Sequence, residues 1–133
     1  MALQNASIPI GATYTPAGGT ATTFSPDGVE VKGGLHQSDP TATDMRIQRS
    51  LTSRNRPARL DPATGEWTKA KRSHTFVFPK ILASGKMTFP LLRLEVEVHP
   101  EQTQAEIDAM FSAGAAAACD ADFQSFNRTG NLS

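Results

Sequence analysis

Residues 92–99 read Leu-Arg-Leu-Glu-Val-Glu-Val-His. The apolar residues of this stretch stand at every second position: Leu92, Leu94, Val96 and Val98. A period of two predicts a β-strand with one apolar and one solvated face, which is typical of antiparallel sheets. Pro100 ends the predicted strand, because proline has no N–H to donate to the ladder.

A helix is predicted directly after this strand. Thr103 and Glu106 have the spacing of a capping box, in which each residue satisfies a backbone donor of the other. Apolar and small residues then recur every three or four positions: Ile107, Met110, Phe111, Gly114, Ala115 and Ala118. A sheet and a helix that each have one apolar side need cover, which makes them natural partners.

The rest of the chain divides into short strands separated by Gly- and Pro-containing turns. Strands are predicted at 6–14, 20–24, 29–35, 45–53 and 68–81, with a tight turn at Ser84-Gly85 before the last strand. The first two would form a hairpin about a turn at 15–19. A short helix at 122–127 carries Phe123 and Phe126.

All strands precede the helices, so the predicted fold class is α+β: an N-terminal β-hairpin and an antiparallel β-meander sheet followed by two C-terminal helices. The 133 residues suit a single domain. Within it we expect the hairpin at 1–24, the sheet at 29–99 and dimerising helices at 101–127.

One helix and one short helix are too little to cover so wide a sheet. A second copy related by two-fold symmetry would supply the missing cover, and this interpretation is favoured. In the alternative, the N-terminal hairpin folds over the sheet of a monomer. The candidate dimer-interface residues are Ile107, Met110, Phe111, Ala115, Phe123 and Phe126.

Composition excludes some classes of protein. Thirteen basic and thirteen acidic residues balance, so a role in nucleic-acid binding would have to come from local clustering. Ten of the basic residues do lie between Lys32 and Lys80. The single cysteine, Cys119, excludes a disulfide-stapled domain. Neither a signal peptide nor a membrane span is recognisable, so we expect synthesis in the cytoplasm and no membrane partner.

The outward residues of three predicted strands form a basic, hydroxyl-rich surface suited to RNA phosphates and base edges. The candidate RNA-binding residues are Arg46, Gln48, Ser50, Lys69, Lys71, Ser73, Thr75, Arg93 and Glu95. An ordinary solvated sheet face is the equally weighted alternative. No aromatic residue is interleaved there to stack bases. The arginine run within 49–59 is either a solvated segment or a phosphate-binding one.

Signals for catalysis are poor. His36, His74 and His99 have no metal-ligand spacing and no cysteine partner. Gly18-Gly19 and Gly33-Gly34 are not followed by a phosphate-loop lysine. We therefore expect no enzymatic activity, no cofactor and no metal.

The order of elements resembles the coat proteins of single-stranded RNA bacteriophages. The resemblance extends to the Asp-Gly-Val at 27–29 before a strand, to the basic stretch 45–55, and to the Thr-Phe-Val-Phe-Pro-Lys-Ile at 75–81. In that family a Pro-Lys pair, here Pro79-Lys80, closes the strand before the loop to the last strand. The resemblance covers nearly the whole chain.

The resemblance implies an interlocked homodimer with one continuous sheet, in which the helices of each chain cross onto its partner. Dimers would assemble into an icosahedral shell, the virion capsid, made in the host cytoplasm. The inward sheet face would package the genomic RNA and bind an RNA hairpin that represses replicase translation. A maturation protein is a further implied partner.

Three features depart from that family. The loop Ala83–Lys86 is shorter than the usual one, and the connection Arg54–Trp67 is longer. Leu91 stands where some members have a base-stacking aromatic residue. The alternatives are a dimeric RNA-binding module that is not a capsid protein and, ranked last, a small enzyme.

Overall fold

The structure is a computed structural model that describes residues 3–14 and 18–132. The chain divides into two compact units, Gly19–Pro100 and Met1–Gly18 with Glu101–Ser133. The first unit contains the sheet and the second contains the helices.

The sheet unit contains seven strands: β1 (Ser25–Pro26), β2 (Gly34–Ser38), β3 (Ser50–Arg56), β4 (Ala70–Val77), β5 (Lys80–Ile81), β6 (Met87–Thr88) and β7 (Leu91–Val98). Five of them form an antiparallel sheet in the order β1-β2-β3-β4-β7. Strands β5 and β6 form a small separate hairpin, and its turn at Ser84-Gly85 is the predicted one. The predicted antiparallel sheet is confirmed.

The register confirms the predicted alternation along β7. Phe76 pairs with Leu92 and Ala70 pairs with Val98, which places the apolar residues of β4 and β7 on one face. The residues between them, such as the Lys71–Glu97 pair, lie on the other face. The two faces are called the apolar face and the polar face below.

Three strands begin later than the sequence pattern predicts, and the third is β4, which starts at Ala70 and ends at Val77 within the predicted 68–81 strand. β2 starts at Gly34, inside the predicted 29–35 strand, and continues to Ser38. Residues Met45–Ile47 form a 3-10 helix, so β3 starts only at Ser50. The cause is the Asp44 side chain, which accepts a hydrogen bond from Arg46 N at 2.9 Å and caps this turn.

The predicted N-terminal hairpin is wrong over the described residues. No strand occurs in 6–14 or 18–24, and the predicted turn at 15–19 lies partly outside the described residues. The N-terminal segment instead donates backbone hydrogen bonds to helix side chains. Ser7 N donates to Asp122 Oδ2 at 3.0 Å, and Gly11 N donates to Ser112 Oγ at 2.8 Å.

The helical unit contains a 3-10 helix at Leu3–Asn5, α1 at Gln104–Cys119 and α2 at Ala121–Thr129. The two C-terminal helices are confirmed. Thr103 caps α1 as predicted: its Oγ1 accepts from Glu106 N at 3.3 Å and donates to Glu106 Oε1 at 3.2 Å. Gly130 ends α2 in the left-handed conformation (φ 74°).

Few apolar side chains are buried within this chain. The buried apolar residues of the described part are Ala70, Val98 and Ala116, none of them large except Val98. On the apolar face Leu92 is 64% exposed, and Leu35 and Leu94 are also exposed. Soluble proteins rarely expose an apolar surface of this kind without a binding role for it.

Gly34→Ala should destabilise the sheet by about 1–3 kcal/mol, because overpacking against backbone cannot relax cheaply. A Cβ at Gly34 would overlap the carbonyl oxygen of Ser53 and lie 3.0 Å from Cγ of Arg54. Both neighbours belong to β3, whose ladder with β2 holds them in place. Urea denaturation of the purified protein measures the loss.

Ser38→Ala, at the other end of β2, is the matched control and should change the free energy of unfolding by about 0.5 kcal/mol or less. Equal stabilities for Gly34→Ala and wild type would show that the β2–β3 spacing is wider than the structure has it.

Candidate nucleic-acid interface

The polar face of the sheet presents its side chains in rows that run across β3, β4 and β7. The register defines three such rows: Arg56, Lys71 and Glu97; Arg54, Ser73 and Glu95; Thr52, Thr75 and Arg93. Successive strands lie about 4.8 Å apart, so the first and last members of a row are about 10 Å apart. In the first two rows, the basic residues lie towards β3 and the acidic residues on β7.

A concavity of about 770 Å³ lies over this face. Its charged lining residues are six basic and one acidic: Lys32, Arg54, Arg56, Arg59, Lys71, Arg93 and Glu95. The hydroxyl groups of Thr52, Ser73 and Thr75 line it as well. Cations beside hydroxyl groups are the usual protein partners of nucleic-acid phosphates and base edges.

The lysines of the polar face are engaged by the glutamates of β7. Lys71 Nζ lies 3.5 Å from Glu95 Oε1 and 4.0 Å from Glu97 Oε1. Lys69 Nζ lies 4.0 Å from Glu97 Oε2. These pairs are partly exposed, so they are weak, but they place negative charge beside both lysines.

A histidine–carboxylate pair lies beside β2. His36 Nδ1 is 2.7 Å from Asp27 Oδ2. The hydrogen bond with His36 holds the pKa of Asp27 below its usual value, with further help from Val29 N. The pair ties the turn at 27–29 to the strand that flanks the polar face.

The structure distributes the nine predicted RNA-binding residues unequally. Six of them lie on the polar face within strands, as predicted: Ser50, Lys71, Ser73, Thr75, Arg93 and Glu95. Lys69 directly precedes β4. Gln48 ends the 3-10 helix and lies outside the sheet, so its predicted strand position is wrong.

Arg46 also lies outside the sheet, within the 3-10 helix, so its predicted strand position is wrong too. Its guanidinium donates to Asp44, with Nη2 2.9 Å from Oδ2. This hydrogen bond lowers the pKa of Asp44 and raises that of Arg46. Asp44 thus pairs with Arg46, which the alternation of the predicted strand places on the polar face.

The polar face also holds basic residues that were not among the nine. Arg54 and Arg56 belong to β3, and Lys32 and Arg59 border the same concavity. Three of them, Arg54, Arg56 and Arg59, belong to the arginine run at 49–59, for which phosphate binding is one of the two interpretations of the sequence. The alternative assignment of this run to a solvated segment rests on its charge, whereas the structure places Arg54 and Arg56 in β3.

The six predicted interface residues all lie on α1 and α2. Ile107, Ala115 and Phe123 are half-buried in the single chain. Met110, Phe111 and Phe126 are exposed by about 40% each. The two helices therefore carry apolar surface that the single chain leaves uncovered.

Within 3–14 and 18–132 no cluster of three or more His, Cys, Asp or Glu side chains is arranged to hold a metal ion. No helix among these residues is both long and apolar enough to cross a membrane.

Solved structures of phage particles have the same fold. No family model matches the chain, and no curated protein matches it. A virus-like particle of bacteriophage GQ-907 superposes with a TM-score of 0.91 at 33% sequence identity, over 98% of each chain. A virus-like particle of bacteriophage AVE019 superposes with a TM-score of 0.67 at 8% identity, over 88% of this chain and 92% of the other.

The second match, at such low identity, shows a shared fold alone. The first, at 33% identity over nearly the full length of both chains, shows common family membership. With the five-stranded antiparallel sheet and the two C-terminal helices, it supports a structural role in a capsid. The chain belongs to the bacteriophage coat-protein family.

Proposed function

We propose that this coat protein forms homodimers, that the dimers assemble into an icosahedral shell, and that the polar face of each sheet packages single-stranded genomic RNA. The observation that carries the RNA part is the concavity on the polar face, with six basic side chains against one acidic. Local charge of this kind attracts phosphates even though the whole chain is neutral.

Two surfaces support the dimer. The apolar face exposes Leu92 and Leu94, while α1 and α2 expose Phe111 and Phe126. If the helices of one copy cover the sheet of the other, both surfaces are buried together, as a two-fold interface requires. We expect the predicted residues Ile107, Met110, Phe111, Ala115, Phe123 and Phe126 to lie in this interface.

The edge of the sheet supports the same assembly. β7 pairs with β4 on one side and lies at the end of the strand order. An eight-residue edge strand with an open ladder is a template for another strand. Pairing with β7 of a second copy would give the continuous sheet that the family resemblance implies.

The resemblance extends the proposal to regulation and to a further partner. An RNA hairpin bound on the polar face would repress replicase translation, and a maturation protein would join the shell. Synthesis takes place in the host cytoplasm in this scheme.

Negative-stain electron microscopy of the recombinant protein tests the proposed shell. We expect closed particles of uniform diameter, with nuclease-protected RNA inside them. Discrete dimers that bind RNA but never close would instead indicate an RNA-binding module outside a capsid. Closed particles without RNA would agree with the structural role in a shell but would exclude the proposed packaging of RNA.

A further inference from the structure

We infer that RNA phosphates bind mainly at the β3 end of the polar face, through Arg54, Arg56, Arg59 and Lys32, while Glu95 and Glu97 restrain the central lysines. These four basic residues are called the arginine cluster. The inference rests on the proposed RNA-packaging function and assigns its phosphate-binding residues. Arg54 and Arg56 lie at the end of β3, Arg59 follows β3, and Lys32 precedes β2.

The lysines of the polar face and the arginine cluster differ in their ion pairs. Lys69 and Lys71 have glutamate oxygens within 3.5–4.0 Å. None of the four arginine-cluster side chains has an ion pair with a described residue. An incoming phosphate would therefore compete with Glu95 or Glu97 at the lysines but with no described carboxylate at the arginine cluster.

The register explains this difference. Glu95 lies opposite Ser73 and Glu97 opposite Lys71, so both glutamates are next to β4. Arg54 and Arg56 are one strand further away, at about twice the strand spacing, or about 10 Å. Neither arginine forms an ion pair with Glu95 or Glu97, so its guanidinium remains available to a ligand.

Backbone contacts hold the segment that follows β3 in place. Thr68 N donates to the carbonyl oxygen of Arg59 at 2.8 Å, and Arg59 N donates to Thr68 Oγ1 at 2.9 Å. Leu60 and Trp67 form a further bridge. Arg59 is thus fixed by a hairpin that extends β3 and β4.

The β2 side of the cluster is also held by backbone contacts. Asn55 N donates to the carbonyl oxygen of Gly33 at 2.9 Å, which continues the β2–β3 register beyond Gly34. Lys32 precedes this contact and lines the same concavity as Arg54 and Arg59. Cations from two neighbouring segments therefore face one space.

The chemistry of the cluster suits a phosphate backbone. Arginine presents a planar fork that binds phosphate oxygens in pairs, whereas lysine acts as a point charge. The described residues that line the concavity include no aromatic side chain on which a base could stack. The expected ligand is single-stranded RNA bound through its phosphates with little sequence preference.

The test uses full-length protein, freed of RNA, and a labelled twenty-nucleotide oligouridylate as probe. Binding is followed by fluorescence anisotropy between low and physiological salt. Arg54→Gln/Arg56→Gln/Arg59→Gln should weaken binding about tenfold or more and lower the slope of log affinity against log salt by about 2, because each lost phosphate contact on a single strand removes about 0.7.

Lys69→Gln/Lys71→Gln is the matched control, with two cations removed from the same face. It should lower the slope by less than half as much as the triple variant. Glu95→Gln/Glu97→Gln should tighten binding, because it releases both lysines. Arg59→Gln alone, on the hairpin beyond the sheet, should lower the slope by about 0.7 even if the triple variant does not fold.

A larger loss with the lysine variant than with the arginine variants would overturn this inference and leave RNA packaging in place. An unchanged slope in Arg59→Gln together with weaker binding in Glu95→Gln/Glu97→Gln would overturn it as well. Wild-type protein that neither binds the probe nor encloses RNA in its particles would exclude the proposed packaging function itself.

Discussion

Glu95→Pro should abolish particles and dimers while leaving the five-stranded sheet of each chain intact. Phe78 N donates to the carbonyl oxygen of Pro90 at 2.9 Å, in the same register as the β4–β7 pairs. Hydrogen-bonded pairs recur at every second residue, so the even-numbered residues of β7 bond to β4. The N–H groups of Arg93, Glu95 and Glu97 therefore point to the open edge.

Proline at an edge position whose N–H faces outward costs its own sheet little. It nevertheless removes a donor that a second β7 would need near the middle of the strand. Size-exclusion chromatography with light scattering and electron microscopy measure the loss of assembly. Far-ultraviolet circular dichroism shows whether the sheet persists.

Two controls separate edge pairing from other effects of this substitution. Glu95→Gln removes the carboxylate near Lys71 and should assemble normally. Leu94→Pro removes an N–H that bonds to β4 and should unfold the sheet itself. Normal particles from Glu95→Pro would show that the β7 edge takes no part in the interface.

Phe111→Ala should destabilise the assembled dimer by about 3–5 kcal/mol, the usual cost of removing a buried phenylalanine side chain. In the single chain Phe111 is 40% exposed, so the chain alone buries only part of it. The full loss arises only if a second copy covers the ring. Urea denaturation at two protein concentrations measures both the loss and its dependence on dimerisation.

Met45→Ala is the control for Phe111→Ala, because Met45 is 82% exposed and contributes little buried area. It should change the free energy of unfolding by about 0.5 kcal/mol or less. A loss below about 1 kcal/mol in Phe111→Ala, without concentration dependence, would remove α1 from the proposed interface.

The parts of the fold that follow from local physics could be predicted from the sequence. The alternation at 92–99 predicts β7 to within one residue at each end, and it predicts the two faces of the strand, because burial on one side requires that period. The Thr103–Glu106 spacing located the start of α1, because a helix end needs acceptors for its free N–H groups.

The errors came from contacts between residues distant in sequence or from competing local caps. Alternating apolar residues at 8–14 predicted a strand, but Asp122 and Ser112, about one hundred positions away, accept the backbone N–H groups of that segment. The strand predicted from Met45 begins only at Ser50, because the Asp44 cap competes with strand pairing.

The candidate site was predictable to a similar extent. The alternation along β4 and β7 suffices to place Lys71, Ser73 and Arg93 on one face, and the strand pairing agrees. Alternation cannot show which basic side chains lack an ion pair, because ion pairing depends on the cross-strand neighbours of each side chain. The engagement of Lys71 by Glu95 follows only from the register of the two strands.

The contacts of Ser7 with Asp122 and of Gly11 with Ser112 have a consequence for the order of events on the ribosome. Residues 19–100 can pair their strands while residues 101–133 are still being translated. Ser7 and Gly11 must wait until Asp122 and Ser112 have been synthesised before their N–H groups find these acceptors. The helical unit can therefore be completed only after Asp122 has been synthesised, whereas the strands of the sheet unit can pair before that.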